Sequence, residues 1–161
     1  MTNRRRHLRL TFLTSGESVV AELLDDEAPR VCQQIWEMLP LENNTIHGQY
    51  SGAEIFVLVD PPQPAPAENL TQIPLPGEIF YFFDAGGNVT SGKQPAAEVC
   101  MVYGRGVTLR GPEGFPTYAS LIARIPGDWK YDWLPFAQAC RRVRFEGPQK
   151  LRIERVTEDP A

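Results

Sequence analysis

The stretch Ala21-Glu22-Leu23-Leu24-Asp25-Asp26-Glu27-Ala28-Pro29 decides the fold, because a strand must end and a helix must begin inside it. Ser18 to Leu24 is rich in β-branched and aliphatic side chains, which suit an extended chain. Asp25, Asp26 and Glu27 then offer acceptor oxygens and negative charge to a helix N-terminus. Pro29 falls in the first turn, where its missing N–H does no harm. Val31, Ile35 and Met38 recur at helical spacing, with Cys32, Trp36 and Leu39 beside them. That spacing predicts a helix over Ala28 to Leu39, ended by Pro40. Upstream, Leu8, Leu10 and Phe12 alternate with Arg9 and Thr11, the period of a half-buried strand. The turn at Thr14-Ser15-Gly16 joins this strand to the next as a hairpin.

Downstream, Thr45–Tyr50 and Glu54–Val59 flank Ser51-Gly52 and read as a second hairpin, entered through a turn at Asn43-Asn44-Thr45. Pro61, Pro62, Pro64 and Pro66 exclude a central strand or a helix from Asp60 to Pro76, which leaves a long surface loop. Glu78-Ile-Phe-Tyr-Phe-Phe-Asp84 is apolar on both faces, so this strand must be packed on both sides. Asp84-Ala-Gly-Gly-Asn88 makes a turn, Glu98–Tyr103 a strand of the same kind, Gly104–Pro116 an open loop and Tyr118–Ile125 another strand. Leu134, Ala137 and Cys140 predict a helix from Leu134 to Arg142, with Val143 and Phe145 after it. Leu151 and Ile153 alternate with charged residues in a last strand. About eight strands and two helices emerge, and no internal repeat.

The 161 residues suit one domain, placed at 7–156, with 1–6 and 157–161 as solvated tails. A net charge of −4 argues against a nucleic-acid or membrane-surface partner; Arg4, Arg5, Arg6 and Arg9 form the local exception and are assigned to the N-terminal tail. No apolar run reaches the roughly 20 residues that span a bilayer, and no signal peptide is evident, so a cytoplasmic location is expected. The sequons at Asn43, Asn69 and Asn88 carry little weight in that setting. Cys32, Cys100 and Cys140 are widely spaced among apolar neighbours and read as buried thiols. No spacing of Cys or His supports a metal site, and no motif calls for a cofactor.

The order of elements resembles the cyclophilin-like fold, a closed eight-stranded barrel with two capping helices and mainly β. More closely, the chain resembles the DUF3830 family of bacterial cyclophilin-like proteins of unknown function. The residues that carry the resemblance are the passage Ala21–Pro29, Ile35-Trp36, Leu39-Pro40, Pro76-Gly77-Glu78-Ile79 and Val102-Tyr103-Gly104-Arg105. Prolyl isomerases of the fold carry Phe-His-Arg and Gln-Gly-Gly-Asp segments, and this chain has neither. Fold does not carry function across that difference, so prolyl isomerisation is not expected.

His47 is the one histidine outside the N-terminal stretch, and histidine is the natural acid or base near neutral pH. No nucleophile is tied to it in sequence, so a structural role is the alternative. With Tyr103 directed to the core, the turn at Gly104 brings Arg105 to the barrel rim, where its guanidinium could clamp a carboxylate or ureido oxygen; a surface ion pair is the alternative. Tyr50 and Phe115 would form apolar walls. These residues lead to a domain binding a small polar ligand, with a link to amide and ureido metabolism resting on fold analogy. An isomerase or amide hydrolase using His47 as acid–base stays open, as does an interaction module using the Pro61–Pro76 loop. A homodimer is also left open.

Overall fold

The computed structural model describes residues 5–87 and 94–157. The chain runs β1 (His7–Phe12), β2 (Ser18–Leu23), α1 (Pro29–Met38), β3 (Leu41–His47), β4 (Glu54–Leu58), β5 (Leu70–Thr71), β6 (Glu78–Asp84), β7 (Ala96–Val102), β8 (Ala119–Arg124), α2 (Leu134–Glu146) and β9 (Lys150–Val156). Strand neighbours follow the order β2-β1-β9-β3-β4-β7-β6-β8, and a β2–β8 pairing closes the circuit. Every pairing is antiparallel. The result is a closed eight-stranded barrel with two helices. The two-residue β5 pairs with the first half of β8, beside the place where β2 takes the second half. The sequon at Asn88 and the tail segments 1–4 and 158–161 lie outside the described residues.

Alternation decides which side chains fill the barrel. Leu8, Leu10 and Phe12 of β1, Ile55 and Val57 of β4, Ile79 and Tyr81 of β6 and Val99 and Met101 of β7 point into one core. The helices supply Val31, Cys32 and Ile35 from α1 and Phe136, Ala139, Cys140 and Val143 from α2. Phe136 meets Phe12 with ring centroids 5.2 Å apart. Around β6 and β7 the outer face is buried too. Phe80, Cys100 and Val102 join Val107, Leu109 and Ala119 in a second cluster, against which Phe56 and Phe82 pack. The aromatic strand therefore is packed on both sides, as its composition requires.

Three local expectations are corrected. Asp25, Asp26 and Glu27 do not cap α1, whose N-cap Ala28 has no side-chain cap bond. Instead Glu68 reaches over from the proline-rich loop, and its Oε1 accepts the N–H groups of Arg30 and Val31 at 2.9 and 2.8 Å. Asp25 is drawn off by Arg6, whose Nη2 lies 2.5 Å from Oδ1. Arg6, placed with the tail from sequence, also lies over the Trp36 ring at 4.9 Å. Second, Asn43 and Asn44 make no turn but belong to β3, paired with Leu151 and Lys150 of β9. Their polar side chains signalled a turn, while their backbone groups are taken up by a strand more than a hundred residues away. Third, α2 continues through Val143 and Phe145 to Glu146, because buried Val143 extends the apolar face and no breaker precedes Gly147. Gly147 ends the helix at φ 94°, a conformation that favours glycine.

The proline-rich loop is fastened to the barrel. Gln63 O accepts the Tyr81 hydroxyl, Pro64 O accepts Gln34 Nε2 at 2.7 Å, and Asn69 Nδ2 donates to Leu121 O at 3.1 Å. This fastening counts against a free contact strip. It also makes Glu68 the residue that ties loop to helix. Glu68→Ala should lower the melting temperature by about 2–4 °C, the size expected for a lost helix cap, whereas Glu27→Ala should leave it within about 1 °C. Circular dichroism melts of the two variants check this, and the reverse order would return the cap to the acidic run.

Candidate functional site

The turn from Gly48 to Ala53 and the segment from Gly104 to Gly111 close over the outer face of β4, β6 and β7. Thr108 N donates to Ser51 O at 3.1 Å, Arg110 N to Ser51 Oγ at 3.2 Å and Tyr103 N to Ala53 O at 3.0 Å. Between this cover and the wall lies a cavity of about 290 Å³. Its apolar lining includes Phe56, Phe80, Phe82 and Leu109, and its acids are Glu54 and Glu98.

Both carboxyls sit on the outer face by register. Glu54 is opposite Val102, Phe56 opposite Cys100 and Leu58 opposite Glu98. Glu54 is only 8% exposed, and its Oε2 is buried with no hydrogen-bond partner. Burial pushes the Glu54 carboxyl up to about 7, with the charge of Glu98 adding to the rise and a bond from Ser51 opposing it. Burial likewise raises Glu98 to about 7, against a bond from the Cys100 thiol and with help from the charge of Asp84. Cys100 Sγ donates to Glu98 Oε2 at 3.5 Å. Burial holds that thiol well above its ordinary range, so it is a poor nucleophile. Gly48 makes room for the first acid: a Cβ there would stand 2.5 Å from Glu54 Cγ and 2.7 Å from Oε1.

The residues named from sequence divide between two places. His47 and Tyr50 line the cavity, and Tyr50 is exposed at its edge. The His47 ring, opposite Ile55 on the inner face of the wall, meets Tyr103 instead. Its Nδ1 is 2.8 Å from Gly48 O and its Nε2 2.7 Å from the Tyr103 hydroxyl. A carbonyl can only accept, so Nδ1 carries the proton and Nε2 accepts from Tyr103. Burial lowers the affinity of His47 for a second proton, with the cation of Arg144 adding to that and the Gly48 bond opposing it. Both ring nitrogens are thus engaged within the chain. Tyr103 is directed to the core, whereas Arg105 and Phe115 are exposed and are not among the residues lining the cavity. Arg110, five residues on, is the arginine that lines it.

Sequence reasoning missed Glu54, Glu98 and Arg110. A readable signal existed for Glu54 and Glu98, each an acid at a position that alternates onto the same face as Phe56, Phe80 and Phe82. Among the described residues no group of three or more His, Cys, Asp or Glu is placed to hold a metal, and no helix is long and apolar enough to cross a membrane.

A family model described as a protein of unknown function, DUF3830, matches residues 10–154. The chain belongs to this family. No curated protein matches it. Among solved structures it is similar to McbB, determined in complex with tryptophan, at 18% identity and a TM-score of 0.66. That match covers 96% of this chain and 46% of McbB, so the DUF3830 chain spans less than half of the McbB length. It is also similar to the solution structure of the hypothetical protein AF2241 from Archaeoglobus fulgidus, at 19% identity and a TM-score of 0.55, covering 97% of this chain and all of that one. At such identities the likeness is one of fold.

The acids give the domain a pH signature. With folded values near 7 against an ordinary 4.5, Glu54 and Glu98 hold more protons folded than unfolded between those limits. Their contribution is full below about pH 4.5 and is lost as pH rises through 7. His47 acts in the opposite sense, costing stability as pH falls below its ordinary 6.5. Glu54→Gln should therefore raise the melting temperature at pH 8 by several degrees relative to wild type and by much less at pH 5. Thermal melts across that range check it; an equal shift at both pH values would deny the buried charge.

Proposed function

We propose that this DUF3830 domain binds a small polar ligand in the cavity holding Glu54 and Glu98. Glu54 Oε2 carries the reading, because a buried carboxyl oxygen with no partner is costly unless something else meets it. An ionised acid needs a donor there and a protonated acid needs an acceptor. Amide and ureido groups offer both. The edges and faces of Phe56, Phe80 and Phe82 suit a flat apolar body beside such a group. The cavity of about 290 Å³ lies at the lower end of the range for small-molecule sites. McbB was determined with tryptophan, a ligand that likewise joins a flat apolar body to N–H donors. On this reading the domain is an accessory or partner protein in the metabolism of small amides or ureido compounds, working in the cytoplasm.

His47 then holds the cavity wall through Gly48 and Tyr103 and takes no proton from the ligand. A thermal-shift screen with benzamide and N-phenylurea tests the site, since a true ligand stabilises the fold by mass action. Glu54→Leu should weaken binding by about tenfold or more, the cost of leaving one buried polar group unpaired. Tyr103→Phe should change it by no more than about twofold. Loss of binding with Tyr103→Phe, and none with Glu54→Leu, would move the site to His47 and restore the acid–base enzyme.

A further inference from the structure

Glu54 and Glu98 lie four residues apart in register on the same outer face, since Glu54 is opposite Val102 and Glu98 precedes Val102 by four positions. That separation is about 13 Å between backbones along the wall. The rung between them is Phe56, Cys100 and Phe80. Both acids and that rung line the one cavity, which has room for a small planar group beside the phenyl rings. Glu98 already receives the Cys100 thiol on Oε2, while Glu54 Oε2 has no partner. Each acid has one bond that favours its ionised form, from Cys100 at Glu98 and from Ser51 at Glu54, but Glu54 is left with an unmet oxygen.

We propose that Glu54 and Glu98 grip a single uncharged amide or ureido group from its two ends, the ionised carboxylate accepting an N–H and the protonated carboxyl donating to the C=O. This rests on the cavity-binding reading above and names the edge of the ligand that the cavity recognises. Glu54 is the more deeply buried of the two and its Oε2 meets no donor, so Glu54 is the acid that keeps its proton and donates from Oε2. An uncharged ligand brings no further charge into a phenylalanine-lined enclosure, where an unpaired ion would be costly. An anionic ligand would face both acids at once.

The titratable and charged groups around the pair come from every neighbouring element. Among the described residues they are Asp84 on β6, Cys100 on β7, His47 on β3, and Tyr50 and Arg110 on the cover. Asp84 and Glu98 oppose a second negative charge, and His47 is neutral with both nitrogens bonded. Near pH 7 the pair thus holds about one proton, the state the grip requires.

Isothermal titration of the whole chain with N-phenylurea, phenethylamine and phenylacetate from pH 5 to 9 tests the proposal. N-Phenylurea should bind tightest near pH 7 and fall by about tenfold per pH unit on the flanks of the bell. The amine and the acid should bind about tenfold or more weakly at pH 7. Glu54→Gln and Glu98→Gln should each turn the bell into a single limb, and circular dichroism would show which variants fold. A flat pH profile, or a preference for phenethylamine or phenylacetate, would overturn the grip. If the preferred probe still lost affinity in folded Glu54→Leu, the cavity reading would stand without it. If no probe bound, or Glu54→Leu changed nothing, both would fall.

Discussion

The outer face of β6 and β7 is the constraint on which the arrangement depends. Most of a small barrel's outer wall can face water, so its strands need only one apolar face. Here Phe80 and Phe82 on β6, Cys100 and Val102 on β7 and Phe56 on β4 make that wall apolar outside as well. Such a surface must be covered. The chain between Gly104 and Thr117 provides the cover, placing Val107 and Leu109 on the wall and pinning itself to Ser51. Once covered, any polar side chain on the same face is buried with the phenyl rings. Glu54 is buried in this way and Glu98 half-buried beside it, and their raised proton affinities follow from it.

This shows why the architecture was legible from sequence and the site largely was not. Periodicity is local, so Leu8-Leu10-Phe12, the helix after Pro29 and the two-faced strand Glu78–Asp84 could be read residue by residue. Where a distant partner decides the outcome, local chemistry misled. The acids Asp25 to Glu27 stand where a cap belongs, yet Glu68 from another loop fills that role. Asn43-Asn44 looked like a turn because the β9 strand that satisfies it lies at the far end of the chain. His47 and Tyr103 are each candidate site residues by sequence, and they do touch, but through a bond that occupies the imidazole. The choice of Arg105 assumed that the residue after the turn would face the site; the backbone instead turns through Gly106 and brings Arg110 to the lining.

Local rules are most informative where they are broken. Two acids on an apolar face lower the stability of the folded chain at neutral pH, and nothing in the packing of the barrel requires them. Leucine or methionine at either position would continue the second cluster without the cost of a buried charge. A fold carries such a cost most readily where the group does work, which is why strongly shifted carboxyls gather in functional clefts. At 18% identity the likeness to McbB is one of shape, so ligand binding here must stand on the site itself. It depends on three features of this chain: an unmet oxygen on Glu54, a glycine at 48 that lets Glu54 lie flat, and a cavity bounded by both acids. A purely structural role would explain the cover and the phenyl rings, but it would leave the oxygen unmet. A ligand explains all three together.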